Sequence, residues 1–224
     1  MKPRRPILRI SKLRQACKAL PLIAACALNA VPALAAQSLS ATDSALLEKV
    51  SARLAAETAV NQHFVQEKQL RVLKRPIRTE GSMLYRREQG VCWHTQQPVV
   101  STLVLGEQQL RQINGNDELV LKAEQQPALF GFTRLFFAAL SGQVNTLAEH
   151  FQLRVSGDEQ HWQLDLVPQD MLLQKFIAGM QLQGSARVEQ VRVTGREGDI
   201  TQIVFSPFPG GENLGDMERR CFVR

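Results

Sequence analysis

Between Phe64 and Asp117 the chain alternates strand-like segments with turns too short to hold a crossover. This constrains the fold more than any other feature of the sequence. The first segment puts Phe64, Gln66, Lys68, Leu70 and Val72 on one face and Val65, Glu67, Gln69, Arg71 and Leu73 on the other. Pro76 marks a turn. The next segment spans about Thr79 to Arg87, with Met83 and Tyr85 pointing one way and Leu84 the other. Gln89-Gly90 turns the chain, and Val91 and Trp93 then share a face opposite Cys92 and His94. Pro98 ends that strand. Val99 to Leu105 is apolar on both faces, Gly106-Glu107 leads into Gln108 to Ile113, and Asn114-Gly115-Asn116-Asp117 is a strong hairpin signal. Parallel neighbours need a connection of a dozen or more residues, so these strands form an antiparallel meander.

Two apolar helical segments accompany the strands. The first is capped by Thr42 or Ser44 and runs to about Thr58, with Leu46, Leu47, Val50, Leu54 and Ala55 on one stripe. The second follows Pro127, which a helix tolerates in its first turn. From Ala128 to Leu140 it packs four of the ten phenylalanines into eight residues. Phe132, Leu135, Phe136 and Leu140 make one face, and Phe130 and Phe137 an adjacent one. A helix this apolar is buried on most sides or closes over an apolar space. A short helix is expected over Leu147 to Phe151 and a helical turn or two over Asp170 to Phe176.

Strands resume at Gln152 to Val155, His161 to Val167, Ala178 to Gln183, Arg187 to Thr194 and Ile200 to Phe205. The Gly/Pro-rich tail from Pro207 to Arg224 reads as a surface segment. The fold class is therefore α+β, with about ten strands. One antiparallel sheet of that size twists and curls, and its concave face requires a cover that the two helices can supply.

The first 35 residues read as a cleaved signal peptide. Lys2, Arg4, Arg5, Arg9, Lys12, Arg14 and Lys18 precede an apolar run from Ala19 to Leu34. That run is broken by Pro21, Asn29 and Pro32 and ends in Ala33-Leu34-Ala35. Ile23-Ala24-Ala25-Cys26 offers a rival cut that would lipidate Cys26. The whole chain carries 27 basic and 21 acidic residues. Without a leader holding seven bases and no acid, residues 36–224 are left with 20 against 21. A nucleic-acid role thereby loses its electrostatic support. These 189 residues suit a single domain. Two cysteines remain, Cys92 and Cys221. In an oxidising compartment they form a possible disulfide, or both are free and buried.

The ordered set Phe64 and Gln66, then Gly81, Leu84 and Tyr85, then Arg86-Arg87, then Trp93-His94 resembles the LolA-type periplasmic carriers, which shuttle lipoproteins from the inner to the outer bacterial membrane. The match is strongest from Phe64 to Pro98 and weak after Pro207. The resemblance implies an incomplete β-barrel closed by a helical lid, with a hydrophobic cavity for acyl chains. It implies a periplasmic location after cleavage near Ala35. It also implies an acylated lipoprotein or related envelope lipid as cargo, an inner-membrane releasing transporter and an outer-membrane acceptor as partners, a monomer, and no cofactor. The family arginine that helps to hold the lid closed falls by position on Arg87, where the usual following proline is Glu88. Glu88 could pair with Arg86 or Arg87 and weaken that latch. The aromatic mid-chain helix suggests a divergent paralogue. Candidate cargo-lining residues are Phe64, Leu84, Val91, Trp93, Leu103, Phe132, Phe136, Trp162 and Leu164.

Enzymatic motifs are absent: no G-x-S-x-G, no H-E-x-x-H, no phosphate loop and no Cys-x-x-Cys. Cys92 and His94 share a strand face, and a metal reading would need Cys221 and His161 to join them; a buried thiol and a surface histidine are the simpler account. His63 and His150 stand at element edges without ligand spacing. Two non-enzymatic alternatives use the same fold: a module that senses lipids or lipoproteins, and an acceptor anchored through Cys26.

Overall fold

The computed structural model describes residues 41–208 and 213–222. The expected leader, the cleavage near Ala35 and the rival site at Cys26 lie outside them. The chain begins with helix α1 (Ala41–Ala56). Six strands follow: β1 (Ala59–Gln69), β2 (Ile77–Arg86), β3 (Gly90–Gln97), β4 (Ser101–Leu105), β5 (Gln109–Asn114) and β6 (Asp117–Lys122). Helices α2 (Pro127–Leu140) and α3 (Val144–Ala148) lead into five more: β7 (Phe151–Gly157), β8 (Trp162–Pro168), β9 (Ile177–Gly184), β10 (Val188–Gly195) and β11 (Ile200–Pro207). A single 3-10 turn (Leu173–Lys175) precedes β9, and helix α4 (Leu214–Phe222) ends the described chain.

All eleven strands form one sheet in the order β6-β5-β4-β3-β2-β1-β11-β10-β9-β8-β7. Every pairing is antiparallel. Two meanders thus meet where β1 pairs with β11, and β6 and β7 are left as edges. The result is an incomplete barrel, open at those edges and covered by helices.

Alternation assigns each strand residue to an inner or an outer face. Met83 pairs with Trp93 and Trp93 with Leu103 on the inner face, while Leu84 pairs with Cys92 and Cys92 with Val104 on the outer. The inner face carries one continuous core that joins Leu47, Val50 and Leu54 of α1 to Phe64, Tyr85, Trp162 and Leu182 of the sheet and to Leu135 of α2. Two glycines allow close approaches. A side chain at Gly81 would meet His94 O at 1.9 Å across β3. Gly142, with φ +68°, lets the end of α2 abut α1, where a Cβ would meet that of Leu54 at 2.6 Å. Ser51 Oγ donates to Gly142 O there at 2.6 Å.

Several boundaries differ from expectation. The first strand begins five residues before Phe64 and stops at Gln69, so Leu70 to Pro76 form a turn. The hairpin at Gly115 supplies an eleventh strand, β6. The short helix forms at Val144–Ala148 because Phe151 already starts β7. The tail is not a surface strip. Its Leu214, Met217 and Cys221 recur at helical spacing and fold as α4 against the outer face.

Candidate functional site

The outer face of the first meander is closed by α4. Leu84 and Cys92, both fully buried, pack with Val104 and Cys221 in a small core that Leu214, Met217 and Phe222 flank. Cys92 and Cys221 are bridged, with Cα atoms 5.9 Å apart across 129 residues of sequence. Arg111 donates to the Cys221 carbonyl at 3.0 Å. The Arg86 guanidinium pairs with Glu218 of α4, where the sequence suggests Glu88 as the partner.

The inner face is different. Beneath α2 lies a cavity of about 360 Å³. Trp93, Leu103 and Leu105 line it from one meander, and Met180, Val191, Val193 and Ile203 from the other. Phe151 closes one side. Phe132, Leu135 and Phe136 of α2 form the roof, which brings to the cavity three of the four residues of the helix face expected from its 3.6-residue spacing, all but Leu140. Among the described residues, Gln66 and Thr201 are the polar members of the lining, and no ionisable group joins them. Trp93 organises the floor. Its ring stacks on Phe64 at 4.0 Å and meets Phe136 and Phe205 edge-on, each at 6.1 Å.

Of the nine candidate lining residues, Trp93, Leu103, Phe132 and Phe136 border this cavity. Phe64 lies one layer below, fully buried under Trp93. Val91, Trp162 and Leu164 are filled core; the Trp162 indole N–H donates to Ser185 O at 2.7 Å. Leu84 is corrected: it belongs to the outer face under α4, as its alternation with Met83 and Tyr85 requires. Sequence reasoning missed Phe151, Met180, Val191, Val193 and Ile203. Their alternation is ordinary strand patterning and carries no mark of a gap above it.

Arg87 also stands elsewhere than a lid latch would. Its guanidinium donates to the carbonyls of Ala55 and Glu57, satisfying the orphan acceptors at the C-terminus of α1 rather than touching α2. Among the described residues α2 makes no ion pair, and its sole charged residue is Arg134. It has no side-chain cap at Gln126, no acid in its first turn and no base in its last. Gly131 interrupts it, at a cost of about 1 kcal/mol relative to alanine. Such a helix is held in place almost entirely by apolar contact.

No group of His, Cys, Asp and Glu among the described residues could hold a metal. The disulfide removes both thiols from Cys92-Trp93-His94 chemistry, and His94 Nδ1 lies 2.9 Å from Thr102 Oγ1. No described helix is long and apolar enough to cross a membrane.

The site is thus an apolar cavity roofed by a helix within an open antiparallel sheet. Residues 33–207 match the family described as outer membrane lipoprotein carrier protein LolA-like, and the chain belongs to that family. Among curated protein sequences, none matches the chain. Similar solved structures are remote. A LolA superfamily protein from Nitrosomonas europaea is 9% identical, with 76% of this chain and 95% of that one covered and a TM-score of 0.41. An outer membrane lipoprotein-sorting protein domain from Vibrio parahaemolyticus is 11% identical, with 79% and 97% covered and a TM-score of 0.38. The MucA/MucB complex of Pseudomonas aeruginosa is 12% identical, with 78% and 59% covered and a TM-score of 0.44.

Proposed function

We propose that this protein is a periplasmic carrier that holds acyl chains of a lipoprotein or a related envelope lipid in the cavity beneath α2 and moves them from the inner to the outer membrane. It would take cargo from an inner-membrane transporter and surrender it to an outer-membrane acceptor. The reading includes a signal peptide cleaved near Ala35, a single binding domain over residues 36–224, a monomeric state and no catalytic step. The observation that carries it is the apolar cavity of about 360 Å³ under a helix with no covalent or ionic tie to any described residue.

The energetics suit reversible carriage. Each methylene moved from water into the cavity gains about 0.8 kcal/mol, so a chain burying ten of them gains roughly 8 kcal/mol gross. Lifting α2 and exposing its phenylalanines offsets much of that, leaving an affinity that a receptor can overcome. The volume sits at the low end of the range for small-ligand pockets, about 300–1,000 Å³, and suits part of one chain in the closed form. Trp93, Leu103, Phe132 and Phe136 are the residues proposed to touch cargo, with Phe64 supporting Trp93 from below.

Native mass spectrometry of the protein purified from the periplasm, with extraction of whatever is bound, tests the reading. A co-purifying acylated species supports it and identifies the cargo class. A protein that is empty and takes up no fluorescent fatty-acyl probe contradicts it.

A further inference from the structure

The two ends of the sheet differ in chemistry. In a meander, alternate turns emerge at the same end. The turns at residues 70–76, 98–100, 115–116, 169–176 and 196–199 therefore crowd one end. Those at 57–58, 87–89, 106–108, 158–161 and 185–187 crowd the other. Seven of the thirteen exposed large apolar side chains among the described residues stand in the first group. They are Val72 and Leu73, Val99 and Val100, and Met171, Leu172 and Phe176. None of the thirteen stands in the second group. Val72 is 88% exposed, Met171 79% and Phe176 63%, values far above those of packed side chains.

Charge follows the same division. Arg71, Lys74, Arg75, Lys175 and Arg196 lie in the apolar turns, against Asp170, Glu197 and Asp199. The opposite turns carry Glu57, Glu88, Glu107, Asp158 and Glu159, against Arg87 and Arg187. Lys74, Arg75, Lys175 and Arg196 are exposed and form no ion pair with any described residue.

The apolar turns are held together. Arg71 donates its backbone N–H to Asp199 Oδ1 at 2.9 Å and its guanidinium to Glu197 O at 3.0 Å, tying the β1–β2 turn to the β10–β11 turn. Arg196 N donates to Phe176 O at 3.0 Å, tying that turn in its place to the β8–β9 segment. Within this segment Asp170 Oδ1 accepts from Leu172 N at 2.7 Å, and Leu173 plugs into the core while Met171 and Leu172 face outward. The cavity approaches this end as well. Its two polar lining residues, Gln66 and Thr201, are near the ends of β1 and β11 that meet these turns. A smaller hollow of about 200 Å³ links Phe132 and Leu135 of its roof to Leu172 and Leu173.

We propose that the turn cluster at residues 70–76, 98–100, 169–176 and 196–199 docks this protein on an anionic phospholipid surface, with the cavity mouth toward the bilayer. Projecting Met, Leu, Val and Phe side chains interleaved with Lys and Arg match the chemistry of a membrane interface, where apolar groups enter the acyl boundary and cations meet lipid phosphates. The acid-rich opposite end is repelled by the same surface, which fixes the orientation. The inference deepens the carrier reading by giving cargo a route between bilayer and cavity, yet it is tested without cargo.

The test is co-sedimentation of the full mature chain with vesicles of phosphatidylcholine alone and of equal parts phosphatidylglycerol and phosphatidylcholine. The expected result is binding to the anionic vesicles that weakens with salt and is much lower on neutral ones. Each Lys or Arg near an anionic surface is worth a factor of about five, so the double variant Lys74→Glu/Arg75→Glu is expected to bind at least tenfold more weakly. Met171→Ser/Phe176→Ser is expected to lose binding to a similar degree. All four sites are exposed, so fatty-acyl probe uptake by these variants should match the unaltered protein and report that they are folded. Equal sedimentation of variants and unaltered protein overturns the proposal. So does probe uptake without vesicle binding, which leaves the carrier reading standing. A cross-link from Val72→Cys to a membrane protein, without any lipid binding, replaces the bilayer with a protein receptor.

Discussion

The same strands present two faces, and each is covered by a helix in a different way. On the outer face, Leu84, Cys92 and Val104 are sealed by α4 through the Cys92–Cys221 bridge, the Arg111 hydrogen bond to Cys221 O and the Arg86–Glu218 pair. On the inner face, Trp93, Leu103 and Ile203 are roofed by α2, which brings rings and leucines but neither a disulfide nor an ion pair to any described residue. Each face keeps a hollow: the outer one, about 260 Å³, is bordered by Gln89, Gln109 and Arg111, whereas the inner one, about 360 Å³, has no ionisable group in its described lining. One cover is tied by a disulfide and an ion pair, and the other rests mainly on apolar contact. On the proposed carrier reading the difference has a use: a sheet tied from behind would keep its shape while the front cover opens.

Breaking the fixed cover should have the largest effect. Cys221→Ser removes a link that closes a loop of 129 residues, and by chain entropy it should cost about 5 kcal/mol. The check is chemical denaturation with and without reductant, where the variant should match the reduced protein. Leu84→Ala follows at about 2–5 kcal/mol, because the side chain is fully buried. Its fatty-acyl probe affinity should stay within twofold of normal, since Leu84 faces away from the cavity; a large affinity loss would erase the distinction between the faces. Phe136→Ala should show the reverse. It is only half-buried, so stability should fall by about 1–2 kcal/mol, while probe affinity falls about tenfold or more with the edge contact to Trp93 gone.

The smallest effect concerns the tie of α1 to the β7–β8 turn. Lys49 Nζ lies 2.6 Å from Glu159 Oε1, with Arg53 at 3.1 Å from Oε2. The Lys49 hydrogen bond and charge hold the Glu159 carboxyl below its ordinary range, with Arg53 adding to them. A depressed acid stabilises the fold above its ordinary pKa and ceases to do so as pH falls through the folded value. Melting temperatures of Glu159→Gln and the unaltered protein should therefore differ slightly at neutral pH and converge in acid. A gap that widens on acidification would reverse that sign.

Much of this architecture was legible in the residues. Proline and glycine turns between alternating segments specified the first meander, and the phenylalanine spacing of residues 130–137 marked the face of α2 that meets the cavity. Alternation also placed Leu84 opposite Tyr85, so its assignment to the cavity conflicted with the strand's own period. Helix α4 was obscured by the Gly/Pro-rich stretch before it. The stripe Leu214, Met217, Cys221 and the side-chain cap at Asn213, whose Oδ1 accepts from Asp216 N at 3.2 Å, were readable signals. The lining from β9 to β11 had no such signal. Met180, Val191 and Ile203 look like any buried strand residues, and whether the space above them is filled depends on where α2 comes to rest, a tertiary property that local periodicity does not encode.

Hydrogen exchange on α2 and α4, with and without a saturating fatty-acyl probe, tests the contrast between the two covers most directly. The account predicts that α2 amides exchange faster than those of α4 in the free protein and slow when the probe binds, while α4 stays protected throughout. Equal protection of the two helices, unchanged by the probe, would contradict it.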